Sequence, residues 1–421
     1  MTLYVCGITP YDTTHLGHAF TYTAADILVR YLEFRGHSVR YVQNVTDIDD
    51  DILKKAKEGG DDWRRLGNRW TAHFIDDMKA LNVRPPDYFP RATDVIAEII
   101  ESVRALIEAG VAYVSSGNVY FHVAAWPDFG QLSQLPRDQM LPLANQRGNN
   151  PDDPHKNDPL DFVLWQARAE DEPAWESPWG WGRPGWHIEC STLATRFLGQ
   201  SVDIHSGGAD LLFPHHECEI AQVEPLRQWQ DADRRPFVRT WLHVAMVHYR
   251  GDKMSKSLGN LVMVRDLLET WSSDALRIYL ARHHYRQPWA HNDDELAQAQ
   301  AIAHLIRDAV TGRRPATDGQ PSVAWRPSPV PRRPSPVAHC EAAFIQAMDN
   351  DLDTVTALDE LAALAQEILR AEPASSSTAA PAALRRMARV FGLRLDAATA
   401  ETPVIDGWNQ HLRRFDSQKE A

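Results

Sequence analysis

Residues 2–18 form the stretch that decides the fold, and they read Thr-Leu-Tyr-Val-Cys-Gly-Ile-Thr-Pro-Tyr-Asp-Thr-Thr-His-Leu-Gly-His. Residues 2–6 alternate like a short strand, and a loop rich in Thr, Pro and Gly follows them. The next segment predicts a helix, because Ile27, Tyr31 and Phe34 share one side and Gly36 is a C-terminal stop signal. Residues 39–44 predict another strand. This order is a βαβ unit, which implies a parallel sheet.

Outward from this unit, the sequence predicts several regions. A helix is predicted over 66–81, another from Thr93 as N-cap to Gly110, and a hairpin turn at Gly117-Asn118. The polar stretch 127–160 is typical of an inserted loop. The Pro- and Arg-rich stretch 311–337 has the composition of a linker. We predict an α/β domain over 1–225 with an insertion at about 111–180, a further region over 226–310, the linker 311–337, and a helical domain over 338–421.

Composition limits the class of protein. The chain has 421 residues, of which 43% are apolar and 24% charged, as in soluble proteins of two or three domains. We expect a cytoplasmic protein that does not bind membranes, because no signal-type or membrane-spanning segment is visible. We also expect a monomer. Four cysteines in this length indicate free or metal-bound thiols and not a disulfide framework. The net charge of −13 argues mildly against a large RNA partner.

Two short motifs suggest phosphate binding. His15-Leu-Gly-His18 opens the first predicted helix, where main-chain N–H groups and the helix dipole favour an anion. A surface pair of histidines explains this motif equally well. Lys253-Met-Ser-Lys256-Ser places two lysines on a loop of small residues that could neutralise a triphosphate. An ordinary solvated basic turn is the alternative.

Cysteines and histidines suggest a metal site. Cys6 ends the first strand, Cys190 lies in Gly-Trp-His-Ile-Glu-Cys, and His215 and His216 lie in Phe-Pro-His-His-Glu. Thiolate and imidazole together are a zinc donor set. Buried structural cysteines and core histidines are the commoner fate of such residues, and the spacing alone does not decide between the two.

The combination of the two phosphate motifs, about 240 residues apart, resembles the two signatures of the class I aminoacyl-tRNA synthetases. The resemblance implies an α/β protein with a class I Rossmann nucleotide-binding domain, an insertion, and a C-terminal all-α domain. The segments Tyr4-Val-Cys-Gly, Tyr41-Val-Gln-Asn-Val-Thr-Asp-Ile-Asp-Asp, Gly185-Trp-His-Ile-Glu-Cys and Phe213-Pro-His-His-Glu are similar to the cysteine-specific branch of that family.

That branch holds zinc with two cysteines and a histidine. By resemblance, one zinc ion per chain is held by Cys6, Cys190 and His215, with Glu219 as a candidate fourth ligand, Cys218 as a bystander and His216 beside the site or at ATP. ATP with Mg²⁺ and L-cysteine are the implied substrates. The implied catalytic residues are His15, His18, Lys253 and Lys256. The implied ATP- and adenylate-binding residues are Cys6, Gly7, Ile8, Thr9, Gly17, Thr21, Asn44, Val45, Thr46, Trp186, Gly208, Ala209, Asp210 and Val247.

Two families share this apparatus and differ in the acceptor of the cysteinyl group. One is the cysteinyl-tRNA synthetases, and the other is the mycothiol-pathway cysteine ligases, which acylate the amine of glucosaminyl-inositol. Cys6-Gly-Ile-Thr-Pro-Tyr-Asp, His15-Leu-Gly-His-Ala and, in part, Gln146-Arg-Gly-Asn-Asn-Pro resemble the second. Pro159-Leu-Asp-Phe-Val-Leu-Trp and Glu219-Ile-Ala-Gln resemble the first.

The balance of these matches leads us to expect the amino-sugar acceptor. We also expect that the 26 residues after Leu395 are too few for a full anticodon-binding module. A tRNA or another small amine is the alternative acceptor. The sequence does not decide whether Asp274-Ala-Leu-Arg277 touches RNA.

Overall fold

The computed structural model describes residues 1–12, 14–226, 236–254, 259–313, 337–371, 379–395 and 402–417. It confirms an α/β protein whose last third is helical. Most of the predicted linker, residues 314–336, lies outside the described residues. The elements up to residue 226 are β1 (Thr2–Ile8), α1 (Leu16–Phe34), β2 (Arg40–Val45), α2 (Asp50–Gly59), α3 (Trp63–Ala80), α4 (Ile96–Glu108), β3 (Ala112–Ser115), β4 (Asn118–Phe121), α5 (Arg137–Asn145), β5 (Phe162–Ala167), β6 (Gly182–Pro184), α6 (Trp186–Leu198), β7 (Val202–Gly208) and α7 (Glu217–Val223).

The rest of the described chain is mostly helical. Its short strands precede residue 291, and long helices follow. The elements are β8 (Val238–Val244), β9 (Val247–Tyr249), β10 (Asp252–Lys253), α8 (Val264–Thr270), α9 (Ser273–Ala281), β11 (Trp289–Ala290), α10 (Asp293–Thr311), α11 (Val337–Asp349), α12 (Thr354–Arg370), α13 (Ala379–Val390) and α14 (Thr402–Ser417).

The chain divides into two compact units, each built from segments that are not contiguous in sequence. The first unit comprises Met1–Asp12, Val39–Thr71 and Pro86–His243. Its central sheet has the strand order β2-β1-β7-β8, and β1 runs parallel to both β2 and β7. This is the parallel sheet that the βαβ pattern predicted. Strand β1 is apolar because its central residues are fully buried, as is usual in parallel sheets.

A second sheet of the first unit is antiparallel and has the order β3-β4-β5-β6. Its first hairpin turns at Ser116 and Gly117, which have φ angles of 52° and 81°. The turn lies one residue earlier than predicted, since Asn118 already pairs with Ser115. The polar stretch 127–160 is not loop throughout, because α5 forms there and buries Met140 and Ala144.

Helix α4 begins later than the sequence predicted. A 3₁₀ turn covers Ala92–Val95, and the α-helix starts at Ile96. Thr93, the predicted N-cap, instead donates from its hydroxyl to Asp47 at 2.6 Å and from its N–H at 3.0 Å. A tertiary hydrogen bond therefore outweighs the local capping preference. The predicted stop at Gly110 is confirmed by its φ of 75°.

The second unit comprises Thr13–Ser38, Ala72–Pro85 and Val244–Ala421. Helices α11, α12 and α13 pack through buried residues such as Phe344, Leu361 and Leu384. On α14, the fully buried Trp408 donates from Nε1 to the carbonyl oxygen of Val83 at 2.8 Å. Across the described ranges, no helix has both the length and the hydropathy that crossing a bilayer requires.

Two tryptophans of the first unit allow a matched test of this core. Trp165 on β5 is fully buried, whereas Trp181 is 56% exposed. Trp165→Ala should lower the free energy of unfolding by about 3–5 kcal/mol, because a buried aromatic leaves a cavity. Trp181→Ala should change it by less than about 0.5 kcal/mol. Urea unfolding followed by circular dichroism measures both, and equal losses for the two variants would contradict the placement of β5.

Candidate active site

The first unit brings together the four side chains that the resemblance predicts as metal ligands: Cys6, Cys190, His215 and Glu219. Cys6 lies on β1 and Cys190 on α6. His215 lies in the turn just before α7, and Glu219 lies in the first turn of α7. One donor atom from each lies within 4.8 Å of the others, and all four residues are buried. Segments far apart in the chain therefore direct four donors to one point.

This donor set suits a tetrahedral zinc ion. Zinc binds thiolate sulfur at about 2.3 Å and imidazole nitrogen at about 2.0 Å, which places neighbouring donors roughly 3.6 Å apart. In the structure, Nε2 of His215 lies 3.2 Å from Oε1 of Glu219. The same oxygen lies 3.7 Å from Sγ of Cys6. The residues present therefore fit a single zinc ion.

A second group of four donors shares Cys6 and Glu219 with the first. Sγ of Cys6 lies 3.4 Å from Nε2 of His216 and 3.7 Å from Nε2 of His205. Nδ1 of His216 lies 2.8 Å from Nε2 of His243, which orients the His216 ring. His216 was predicted from the sequence as a neighbour of the metal or of ATP, whereas His205 was not predicted. Nothing in the local pattern of β7 distinguishes that histidine from an ordinary core residue.

Burial sets the protonation of this cluster. It raises the pKa of Glu219 and of Cys6, and the negative charge of the neighbouring Cys190 raises both further. The pKa of Cys190 is lowered, because Cys6 hydrogen bonds to its sulfur and the His215 imidazole is close. A cation bound in the cluster would favour the deprotonated, ligating forms of its neighbours.

Near the carboxyl ends of β1 and β2, the main chains of Gly7 and Asn44 lie so close together that Gly7 has no room for a side chain. Gly7 donates from its N–H to Oδ1 of Asn44 at 2.7 Å, and a Cβ on Gly7 would overlap the Asn44 carbonyl. Asn44 donates from Nδ2 to Oγ1 of Thr46 at 3.2 Å, and the Thr46 N–H donates to the Ile8 carbonyl at 2.9 Å. Ile8 pairs with Val45. Five predicted adenylate-binding residues thus lie together at the sheet edge where open parallel sheets bind ligands.

The other predicted adenylate residues of the first unit lie beside this edge. Gly208 ends β7, the neighbour of β1, and Ala209 and Asp210 follow it directly. Thr9 follows β1 and is partly buried. Trp186 begins α6, and its ring centroid lies 4.5 Å from that of His215.

Glu217 is a residue of this site that the sequence analysis did not single out. Its buried carboxylate accepts hydrogen bonds from the main-chain N–H groups of Gly130, Leu132 and Ser133 at distances from 2.8 to 3.4 Å. Because Glu217 lies between His215 and Glu219, the two predicted metal ligands, its hydrogen bonds fix the segment that carries them to the inserted region. The sequence shows that Glu217 belongs to the His-His-Glu motif, but it does not show which main-chain groups bond its carboxylate.

In the second unit, His15 caps the N-terminus of α1. Its side chain accepts hydrogen bonds from main-chain N–H groups that were predicted to bind phosphate. Nδ1 of His15 accepts from Gly17 at 3.1 Å and from His18 at 3.4 Å. The His15 and His18 rings stack with centroids 3.8 Å apart. Phosphate can reach these N–H groups only if the His15 ring turns away. Thr21 donates from Oγ1 to the Gly17 carbonyl at 3.2 Å and so faces its own helix.

The main chain beyond the Lys-Met-Ser-Lys-Ser loop pairs with the residues around His15. The N–H of Leu16 donates to the Val262 carbonyl at 2.8 Å, and the N–H of Val264 donates to the Thr14 carbonyl at 3.1 Å. His15 also forms an isolated bridge with Met263. The segment that follows this loop, residues 262–264, therefore lies against the first phosphate motif within one unit.

The two predicted catalytic lysines differ in what the structure describes. Lys253 lies in β10, antiparallel to β9, and Lys256 lies outside the described residues. Val247 opens β9 and is buried. The roles assigned to these residues remain predictions.

Comparison with known proteins identifies relatives. Residues 1–301 match the family described as tRNA synthetases class I (C) catalytic domain. The chain is 41% identical over 401 residues to the Cysteine--tRNA ligase of Dehalococcoides mccartyi (strain BAV1), a match that covers 95% of this chain and 83% of that protein. It is 43% identical over 394 residues to the Cysteine--tRNA ligase of Escherichia coli O1:K1 / APEC, covering 93% and 80%.

A solved structure shares the fold. The Mycobacterium tuberculosis methionyl-tRNA synthetase in complex with methionyl-adenylate superposes with a TM-score of 0.62 over 98% of this chain and 92% of that chain. The sequence identity is 17%, so the similarity concerns the fold alone. It confirms the class I fold predicted from the sequence.

The close approach at Gly7 can be tested with a methyl group. Gly7→Ala should destabilise the first unit by about 1–3 kcal/mol or more, because the added Cβ overlaps the main chain of β2. Gly59→Ala is the matched control, since nothing lies within 4 Å of its Cβ position at the end of α2. Thermal unfolding compares the two. A Gly7→Ala protein as stable as the control would contradict the geometry of the strand ends.

Proposed function

The chain belongs to the class I (C) tRNA synthetase family, and we propose that it joins L-cysteine to a tRNA. It is an ATP-dependent ligase that forms AMP. In the proposed reaction, the cysteine carboxylate attacks the α-phosphorus of ATP, pyrophosphate leaves, and cysteinyl-adenylate forms. A ribose hydroxyl of the tRNA 3′ end then attacks the cysteinyl carbonyl, which gives an ester and releases AMP.

One observation carries the choice of amino acid: the buried cluster of Cys6, Cys190, His215 and Glu219. Thiolate is a strong ligand for zinc, whereas a serine hydroxyl is not. A site that bonds the substrate thiol rejects the hydroxyl analogue, because the lost bond has no substitute. The cluster therefore supports cysteine over serine without a separate editing site.

The residues of the cluster would divide their work. Zinc, when bound, would supply a Lewis acid that favours the thiolate form of the substrate side chain. Cys6, Cys190 and His215 would hold it, and Glu219 would be a fourth ligand that gives up its position when the substrate thiol binds. Trp186 packs against the His215 ring and would form a wall of the cysteine pocket. Glu217 would keep the ligand-bearing segment in place through its main-chain hydrogen bonds.

Catalysis of adenylate formation would rest on positioning and charge. In the second unit, we assign the ATP phosphates to His15, His18, Lys253 and Lys256, whose charges and hydrogen bonds would stabilise the departing pyrophosphate. His15 would leave its capping position when phosphate binds, since its ring otherwise bonds the helix N–H groups. In the first unit, Gly7 would let the adenylate approach the main chain closely.

The acceptor is where the proposal departs from the sequence-based expectation. Motif matches favoured glucosaminyl-inositol, but two relatives that match more than nine-tenths of the chain are named Cysteine--tRNA ligase. The motif at Gln146–Pro151 also has a packing explanation. Arg147 donates to the Phe213 carbonyl, and Asn149 donates from Nδ2 to the Pro159 carbonyl at 3.0 Å. These contacts support a structural role for that motif.

Metal analysis tests the zinc assignment. The purified chain should carry about one zinc ion, and Cys190→Ser should lose it together with cysteine-dependent exchange of pyrophosphate into ATP, because a hydroxyl does not replace the thiolate ligand. Cys218→Ser is the matched control. Cys218 is equally buried, on the same helix as Glu219, but belongs to neither donor group. Full zinc content and activity in Cys190→Ser would exclude this site.

A product assay tests the acceptor. The enzyme would receive ATP, cysteine and either total tRNA or glucosaminyl-inositol, and AMP release and product mass would be followed. We expect cysteinyl-tRNA, which mild base should hydrolyse because it is an ester. A base-stable amide formed with the amino-sugar alone would overturn the tRNA proposal in favour of the sequence-based expectation. Adenylate formation without transfer to either compound would indicate a third acceptor.

A further inference from the structure

The motif Asp274-Ala-Leu-Arg277 has a role that the proposed reaction does not use. Arg277 lies on α9 and is fully buried. Its guanidinium donates from Nη1 to the Leu81 carbonyl at 2.9 Å, from Nε to the Phe391 carbonyl, and from Nη2 to Asp26. A side chain so enclosed does not reach RNA. This answers the question that the sequence left open for Arg277.

Asp26, the acidic partner, lies in the middle of α1 and is also fully buried. Its carboxylate accepts from Nε of Arg30 at 2.9 Å and from the N–H of Arg84 at 2.8 Å. Burial alone would raise the pKa of Asp26, but Arg30, Arg277 and the Arg84 N–H together hold that pKa below its ordinary value. Asp26 is therefore a carboxylate with a full set of partners.

The same motif holds the segment 391–395, which follows α13. Gly392 has a φ of 64°, and a Cβ there would overlap the Arg277 guanidinium. Asn82 donates from Nδ2 to the Gly392 carbonyl at 2.9 Å. The Asp274 carboxylate accepts from the N–H groups of residues 394 and 395 at 2.8 and 3.0 Å. Both charged ends of the motif thus face one segment of the C-terminal helical region.

A buried ion pair of this kind is weak as a source of stability. Removing two charges from water costs about as much as their attraction returns, and an apolar pair of similar volume is often as stable or more so. Its advantage is geometry, because the planar guanidinium fork fixes three acceptors in one arrangement. Here the acceptors belong to α1, to the residues after α3, and to the segment after α13.

We infer that Arg277 is a positioning residue for the ATP-binding end of α1. Asp26 stands eleven residues after His15, about 16 Å along the axis of one continuous helix. Fixing the helix at Asp26 therefore sets the place of His15 and His18 relative to the rest of the second unit. The inference rests on the proposed role of these histidines at the ATP phosphates, because only then does helix position affect the chemistry.

The test compares four forms of the full-length enzyme: wild type, Arg277→Lys, the double variant Asp26→Leu with Arg277→Met, and Arg35→Lys. Arg277→Lys keeps the positive charge but loses the planar guanidinium that donates to several acceptors at once. The double variant replaces the buried ion pair by apolar side chains. Because it also removes the acidic partner of Arg30, its kcat is compared only if thermal unfolding shows that it is folded, and Arg277→Lys otherwise decides the test. Arg35→Lys is the control, because Arg35 also ties α1 to a C-terminal helix, through Asp349, but this pair is partly exposed.

Cysteine-dependent exchange of pyrophosphate into ATP, zinc content and thermal unfolding would be measured for each form. We expect both Arg277 variants to lose about 10- to 100-fold in kcat, as misplacement by about 1 Å can do. The KM for cysteine and the zinc content should stay within about twofold, because the metal cluster belongs to the other compact unit. Arg35→Lys should match wild type.

Two results would overturn the inference. One is a folded double variant with wild-type kcat. The other is a loss in which kcat, zinc content and cysteine binding fall together, which would show a merely structural role.

Hydrogen exchange of the amides of residues 16–26 provides a readout that needs no activity, and it should accelerate in Arg277→Lys but not in Arg35→Lys. If wild type itself shows no cysteine-dependent exchange, the proposed function fails. Hydrogen exchange then still decides whether Arg277 holds α1, and unchanged protection would refute it.

Discussion

The cost of burying groups that can carry charge is the constraint on which the rest of this structure depends. An ionised side chain removed from water is unstable unless a counter-charge, a metal or several hydrogen bonds compensate it. In the first unit, four potential metal donors converge, and in the second unit the ion pair between Asp26 and Arg277 has further hydrogen-bond partners on both sides. Cys6 and Glu219 are 213 positions apart, and Asp26 and Arg277 are 251 apart. Neither cluster is complete until distant parts of the chain have come together, so each ties its unit into one cooperative piece.

The features that could be predicted from the sequence are those that depend on neighbouring residues or on a recognisable motif. Apolar periodicity gave the parallel unit around β1, and Gly110 ended a helix where a left-handed residue was required. The four clustered donors were predicted through resemblance, since their spacing alone left the metal undecided. The contributions of His205 and Glu217 depend on which distant atoms face them, and no local signal carries that information. The late start of α4 has the same origin, because Thr93 bonds Asp47 in preference to the helix end.

For the acceptor, the short motif and the similarity over the whole chain point to different molecules. Six residues that resemble a family segment report local packing as readily as ligand binding, and Arg147 and Asn149 both have packing partners here. Similarity over more than nine-tenths of the chain averages over many such segments. It therefore outweighs a partial match within one inserted helix-and-loop region. The preference for tRNA follows from that breadth and not from any single residue.

The acidic net charge of the chain is a weak argument against RNA binding. The net charge of −13 counts every ionisable group equally, whether it is buried, paired or exposed. Arg277 and Asp26 cancel each other in the interior and present nothing to a ligand. Arg65 and Arg69 are exposed but share Asp61, whereas Lys54, Lys55 and Lys57 of α2 all reach solvent. Phosphate responds to the cations that face it within about one Debye length, not to the sum over the chain. Where the charges lie therefore decides whether an acidic protein of this family can bind a polyanion, and the sum in the sequence does not contain that information.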